Sequence, residues 1–175
     1  MANATTQPIR LTNFMVYNSS KQVLGVATAT LPSIEAQTDT ITGAGIAGEI
    51  DMPTLGHYGS ITVSLSFRSL TAEAVELAKC KSHELELRGS LQVHDSSSGE
   101  MRTVPARLAL RSIPKSYNLG SFEPASGTDS ELEMEVVYLK YVLDGEEKIE
   151  IDKLNFIAKF NGDDLLASVR SDLGL

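Results

Sequence analysis

Gly43, Gly45 and Gly48 spell G-x-G-x-x-G, the spacing with which a tight turn brings backbone amides against a dinucleotide pyrophosphate. That chemistry needs a helix directly after the turn, because the helix N-terminus holds the charge. Here Glu49, Ile50, Asp51, Met52 and Pro53 follow, and the proline leaves no room for a helix of useful length. About 20 residues further on, where an acidic side chain should meet the ribose, stand Leu65, Ser66, Phe67 and Arg68. The motif is therefore not expected to hold a nucleotide, and no cofactor is expected.

The other reactive side chains do not assemble on paper either. His57, His83 and His94 form no H-x-x-x-H or H-x-E pattern, and Cys80 is the sole cysteine, so no zinc ligand set is spelled out. Cys80 stands between Lys79 and Lys81, which could lower its pKa. With no catalytic partner nearby, the simpler reading is a thiol at a helix end. No G-x-S-x-G elbow occurs, and no hydrolase is expected. Glu131, Glu133 and Glu135 recur at period two, as do Glu84 and Glu86. Two acids working on a glycoside must face each other across a cleft. A row on one strand face is a hydrated surface, or an acidic wall that repels a polyanion.

The elements that would carry these residues are mostly strands. Leu11 to Asn18 reads as a strand, Asn18-Ser19-Ser20-Lys21 as a turn, and Gln22 to Leu31 as its hairpin partner, ended by Pro32. Ile34 to Thr42 is a further strand. Gly43 to Gly59 holds five glycines and a proline and reads as a long loop. Loops of more than about 12–15 residues are usually functional. This one carries Ile46, Ile50, Met52, Leu55 and Tyr58, which want a partner surface.

Ser60 to Leu70 alternates most cleanly. It predicts Ile61, Val63, Leu65 and Phe67 in the core, with Thr62, Ser64 and Ser66 facing water. Thr71 is a plausible N-cap for a helix over 71–79. His83 to Ser96 and Met101 to Ile113 predict a hairpin, Lys115 to Phe122 a further short strand. Glu131 to Leu143 and Glu146 to Phe160 predict a last hairpin about Asp144-Gly145. A short helix over 162–170 ends the pattern, with Asp163 and Asp164 at its start. With no linker or repeat, 1–175 is read as one domain, mostly β (α+β), a two-sheet sandwich with one internal helix and a short C-terminal one.

Composition narrows function further. The chain has 175 residues and a net charge of −8, which opposes ordinary nucleic-acid binding but not a surface past which DNA slides. No run of about 18 apolar residues exists, so no membrane span is expected. No secretory signal is read at MANATTQPIR, and a lone cysteine suits a reducing cytosol. Long alternating strands leave unpaired amides and carbonyls at a sheet edge, and pairing with copies of the same chain removes them. Where the geometry closes, the product is a ring with a polar face lining a channel.

The order of segments adds a family resemblance. Thr30-Leu31-Pro32, a strand, GAGIAGEID from Gly43 to Asp51, and the alternating strand after Ser60 resemble the tube protein of contractile phage tails, the P2-like tail tube family. Lys153-Leu154-Asn155-Phe156, Asn161-Gly162 and the end from Val169 to Leu175 fit as well, whereas MANATTQPIR does not clearly match the family start. The resemblance implies a half-barrel that oligomerises into six-fold rings with one continuous inner β-barrel, stacked into a hollow tube. It implies a contractile sheath outside, and a tape-measure protein or DNA inside without specific binding. It implies assembly in the host bacterial cytoplasm, then residence in the tail of a virion or a phage-tail-like bacteriocin. It also implies a structural protein and no enzyme.

On this reading the segment at about 43–59 is an assembly loop. Gly43, Gly45, Ile46, Gly48, Glu49, Ile50 and Asp51 would contact the neighbouring subunit or ring. Thr62, Ser64, Ser66, Glu131, Glu133 and Glu135 are candidates to face the lumen. The alternative from a different class is a soluble β-sandwich that binds a protein or small ligand. Particle size separates the two.

Overall fold

The computed structural model describes residues 6–175. Two long strands organise it. β7 (Met101–Asn118) and β8 (Ser130–Leu143) pair antiparallel from Ala106↔Leu143 to Asn118↔Glu131. Within this ladder each strand carries one unmatched residue, Val137 between Val136 and Tyr138 on β8 and Lys115 between Pro114 and Ser116 on β7. An unmatched residue flips the alternation beyond it and bends the strand. Accordingly Leu132, Met134 and Val136 are buried at even positions of β8, and Leu139 at an odd one.

That bend lets β7 and β8 serve two layers. On one layer β5 (Thr62–Phe67) pairs with the first half of β8, and β2 (Val26–Thr30) pairs with β5. On the other, β6 (His83–Asp95) pairs with the first half of β7, and β1 (Thr6–Asn18) with β6. β9 (Glu146–Asp152) continues that layer from the second half of β8, followed by β10 (Ile157–Phe160) and the short β11 (Asp163–Asp164). One hydrophobic cluster joins both layers, with Val16, Leu85, Leu87, Leu108 and Ile151 from one and Val63, Leu65, Phe67 and Leu132 from the other.

The remaining pieces close the ends. Helix α1 (Ala72–Leu77) is capped by the Thr71 hydroxyl, which accepts from the Ala74 amide, and it buries Ala74 and Leu77. Asp144 and Gly145 both have positive φ, 53° and 82°, so the β8–β9 turn is of the kind that matches strand twist. Helix α2 (Ala167–Leu173) ends at Gly174 in the left-handed region. A separate two-stranded sheet, β3 (Ala36–Ile41) with β4 (Ile50–Tyr58), projects as an arm almost wholly exposed.

Several expectations change. The first hairpin forms only at its turn. After Asn18 the chain turns through Lys21 (φ 59°) and makes one bridge, Tyr17 to Val23, before β2 leaves for β5. Its apolar residues find a better partner there, since Val26 faces Phe67 and Ala29 faces Leu65. The second half of the long loop is strand β4, including Pro53 and Gly56. A two-stranded arm consists only of edges, where the missing proline amide is tolerated. The short strand expected from Lys115 is the end of β7, and the β8 partner is split by a turn at Asp152–Phe156. There the Asp152 carboxylate accepts from the amides of Leu154 and Asn155. The last helix starts later than expected, because 163–164 pair with β10 and the Asp164 carboxylate accepts from the Leu166 amide.

Leu65 is fully buried and faces Leu132 in register, whereas Ser64 lies on the opposite face of the same strand. Leu65→Ala should cost about 2–5 kcal/mol, and Ser64→Ala should stay within about 0.5 kcal/mol of the parent. Equal shifts in the urea midpoint for the two variants would contradict the face assignment.

Candidate functional site

The two sets of candidate residues occupy two separate places. The first is the outward face of the layer β2-β5-β8-β7. Register puts Thr62 opposite Glu135, Ser64 opposite Glu133 and Ser66 opposite Glu131. β2 adds Thr30 beside Ser64 and Thr28 beside Ser66. β7 adds Ser116 beside Glu133 and Asn118 beside Glu131. All turn away from the core strip of Val63, Leu65, Leu132 and Met134. The result is one polar band across four strands, without a metal cluster among the described residues.

The glutamates on this band are not equivalent. Glu135 accepts from the Ser60 hydroxyl, the Ile61 amide (3.3 Å) and Lys153 Nζ (3.2 Å). Burial raises its pKa most, yet the Ser60 hydroxyl, Lys153 and the Ile61 amide together outweigh it, and the carboxyl is held below its ordinary value. Lys153 also donates to the Gly59 carbonyl at 2.7 Å, tying β9 to the root of the arm. Glu133 pairs with Lys115, the unmatched residue of β7, at 3.2 Å. Glu131 has no cation within 4 Å among the described residues. The row of like charges read from the sequence is thus two paired carboxylates and one open one. The counter-ions went unseen because both lie far off in sequence, Lys115 at the bulge of β7 and Lys153 in the turn that follows β9.

This layer has two free edges. β2 pairs only with β5, and beyond Ser112 the outer side of β7 has no partner among the described residues. Four antiparallel strands alternate in direction, so β2 and β7 run opposite ways. A second copy placed edge to edge would extend the layer antiparallel.

The second place is the arm. Gly43, Gly45 and Gly48 form its tip with φ of 154°, 95° and 123°, values open to glycine. Ile46 donates from its amide to the Gly43 carbonyl, and Glu49 is exposed beside it. Ile50 and Asp51, read as loop, open β4 instead. Ile50 pairs with Ile41 and Met52 with Asp39, which sets Ile41, Ile50 and Met52 on one face, all exposed. The opposite face carries Asp51 and Thr40, whose hydroxyl donates to the Asp51 carboxylate at 2.7 Å. The root is fixed. Gly56 lies against Leu166, where a Cβ would fall 2.4 Å from Cδ2, and Tyr58 tilts on Phe160 at 6.4 Å. Burial raises the Tyr58 pKa.

The remaining candidates stay apart. His57 is on the arm, His94 at the end of β6, and His83 is buried with Nε2 3.1 Å from the Lys79 carbonyl. Cys80 is exposed. The face of the other layer is a web of ion pairs, with Glu86 shared by Arg88 and Arg107, and Glu150 by Lys140 and Lys159. Tyr138, desolvated and donating to Glu150, is pushed up to about 12.

Glu135 gives a pH signature. A carboxyl whose native pKa is depressed adds stability above its unfolded value, about 4.3, and loses it as pH falls through the native value. Between pH 5 and 3 the urea midpoint of the parent should fall more steeply than that of Glu135→Gln. Parallel curves would show that the Ser60–Glu135–Lys153 cluster contributes nothing to folding.

A family model described as phage tail tube protein FII matches residues 8–174. The chain is 28% identical to the tail tube protein of Escherichia phage P2 over 182 aligned positions, covering 98% of this chain and 99% of that protein. Its fold is similar to a chain in the cryo-EM structure of the sheath/tube terminator of PVC, an extracellular contractile injection system, in its extended state. There the TM-score is 0.53 at 13% identity, over 78% of this chain and 97% of the other. The polar band, the free edges and the projecting arm thus belong to a member of the phage tail tube protein family.

Proposed function

We infer that copies of this chain join through β2 and the outer edge of β7 into closed six-fold rings, and that the rings stack into the inner tube of a contractile tail. The observation that carries this is the four-stranded layer with two free edges of opposite direction and one polar face. Edge-to-edge pairing satisfies the open amides and carbonyls of Val26–Thr30 and Ile113–Asn118. Because the two edges differ, the contact is heterologous, and it closes only if the rotation per copy closes. The polar band then lines the bore, with Thr62, Ser64, Ser66, Glu131, Glu133 and Glu135 repeated around each ring. The ion-paired face of the other layer is left to meet a sheath. Such a protein acts mechanically. No catalytic set is assembled among the described residues, and the tube is driven through a target envelope and, in a phage, conducts DNA.

A bore of this composition offers little to a polyanion. Lys115 and Lys153 are already engaged by Glu133 and Glu135, so neither is free to displace counter-ions, and Glu131 adds repulsion. The arm supplies contact to the next copy, which accounts for apolar side chains held in water on a two-stranded sheet.

Negative-stain microscopy of the concentrated protein tests assembly directly. Rings or hollow tubes are expected; a particle that stays monomeric or dimeric would favour a soluble binding module. Gly45→Val should leave circular dichroism unchanged, because no atom lies within 4 Å of its Cβ position, yet abolish tubes, because φ is 95° there. Normal tubes from this variant would remove the arm tip from the assembly surface. Changing Glu131, Glu133 and Glu135 together to Lys should give tubes that retain DNA and a phage that ejects slowly. Unchanged ejection would place these side chains outside the bore.

A further inference from the structure

The outer side of β7 has room for two strands. β6 of the same copy holds it from Met101 to Ser112, where His83 stands opposite Ser112. From Ile113 to Asn118 that side has no partner among the described residues. A β2 strand from the next copy, laid antiparallel there, runs in the same direction as β6 and ends where β6 begins. The two then lie end to end on one ladder. β2 is short enough for this place, since it spans only Val26–Thr30. Pro32, which has no amide to donate, stands two residues past its end.

We propose that this junction sets the register of the ring: Thr28, Ala29 and Thr30 of one copy pair with Asn118, Tyr117 and Ser116 of the next, and Pro32 stops opposite Ile113, against the start of β6. The inference rests on the tube-subunit reading and fixes which residues of the two edges meet. The faces exclude every odd slip. Thr28 and Thr30 share the polar face with Ser66 and Ser64, as Ser116 and Asn118 share it with Glu133 and Glu131. Ala29 and Tyr117 turn to the core. Residues opposite each other in a ladder point to the same face, so a slip of one residue breaks the pleat. Slips of two remain. One sets Thr28 opposite Ser116. Passing the Lys115 bulge as β8 does, it brings Leu31 to Ser112, whose outer side His83 already holds. The other sets Thr30 opposite Asn118 and leaves Val26–Ala29 beyond the end of β7. The proposed register avoids both faults. It lays the small Ala29 beside the Tyr117 ring and continues the polar band with two hydrogen-bonding pairs, Thr28 with Asn118 and Thr30 with Ser116. The stop is firm. The turn before β6 folds back on His83, whose Nε2 is 3.1 Å from the Lys79 carbonyl, and both His83 and Ser112 are buried. Cys80, exposed in that turn, then comes near Ser33 of the next copy.

The test builds one disulfide pair for each register in the full chain carrying Cys80→Ser. Thr28→Cys with Asn118→Cys reports the proposed register. Thr28→Cys with Ser116→Cys, and Thr30→Cys with Asn118→Cys, report the two slips. Within one copy β5 and β8 separate β2 from β7, about 14 Å at ordinary strand spacing and beyond the span of a disulfide, so any link joins two copies. Each variant is assembled, oxidised and run on a non-reducing gel. The first pair should give a ladder that ends at the six-fold product, while the slipped pairs stay unlinked. A slipped pair that links as fast as the first, a ladder that runs past six, or tubes in which no pair links overturns the proposal. Ser33→Cys with the native Cys80 leaves both edges untouched and decides the matter if the paired cysteines stop assembly. A hexyl-linked bismaleimide added to its tubes should join residue 33 of one copy to Cys80 of the next, and tubes that stay unlinked overturn the junction. In all these cases tubes exist, so the tube-subunit reading survives. A parent that forms neither rings nor tubes sinks that reading and this inference with it.

Discussion

One extra residue in each of two strands governs the architecture. Val137 on β8 and Lys115 on β7 have no partner in their ladder, and past each the inward side changes parity. Without those flips, Leu132-Met134-Val136 and Leu139-Tyr141 could not all turn to one core, and β8 could not take β5 on one half and β9 on the other. With them, a single pair of long strands belongs to both layers, and the polar face of one is fixed relative to the ion-paired face of the other. The site residues depend on this, because Glu131, Glu133 and Glu135 share a face only up to the bulge.

The consequence for assembly is that the free edges are built into the fold and are not incidental. The bend ends β6 pairing at Ser112, which leaves the last part of β7 bare, and β2 lacks a second neighbour. A monomer with two such edges and an apolar, acidic arm is a poor isolated solute and a good repeating unit. In the proposed assembly, the bore-facing polarity, the edge pairing and the arm contact would all follow from the same strand order.

The sequence made part of this legible. Strict alternation from Ile61 to Phe67 names four core residues correctly, because a strand buried on one face and polar on the other has an unambiguous period. Thr71 and the Asp144-Gly145 turn were readable because their chemistry is local. What failed is non-local. A turn at Asn18–Lys21 suggests a hairpin, but Val26 and Ala29 bury themselves against β5 some 40 residues on. β4 has no one-sided period because, in a single copy, neither of its faces is covered, and Gly56 and Pro53 made it read as loop. Bulges cost one residue and leave no mark in composition, so β7 read as two strands and Lys115 was not seen as the partner of Glu133. The fold family came from the order of segments, which survives such local errors.

A cryo-EM map of the assembled particle, at a resolution that traces strands, tests the central claim most directly. The account predicts a continuous antiparallel barrel in which Val26–Thr30 of each copy hydrogen-bonds to Ile113–Asn118 of the next, with Thr62, Ser64, Ser66 and Glu131 facing the bore. A map in which these two edges remain apart, or in which the polar band faces outward, would contradict it.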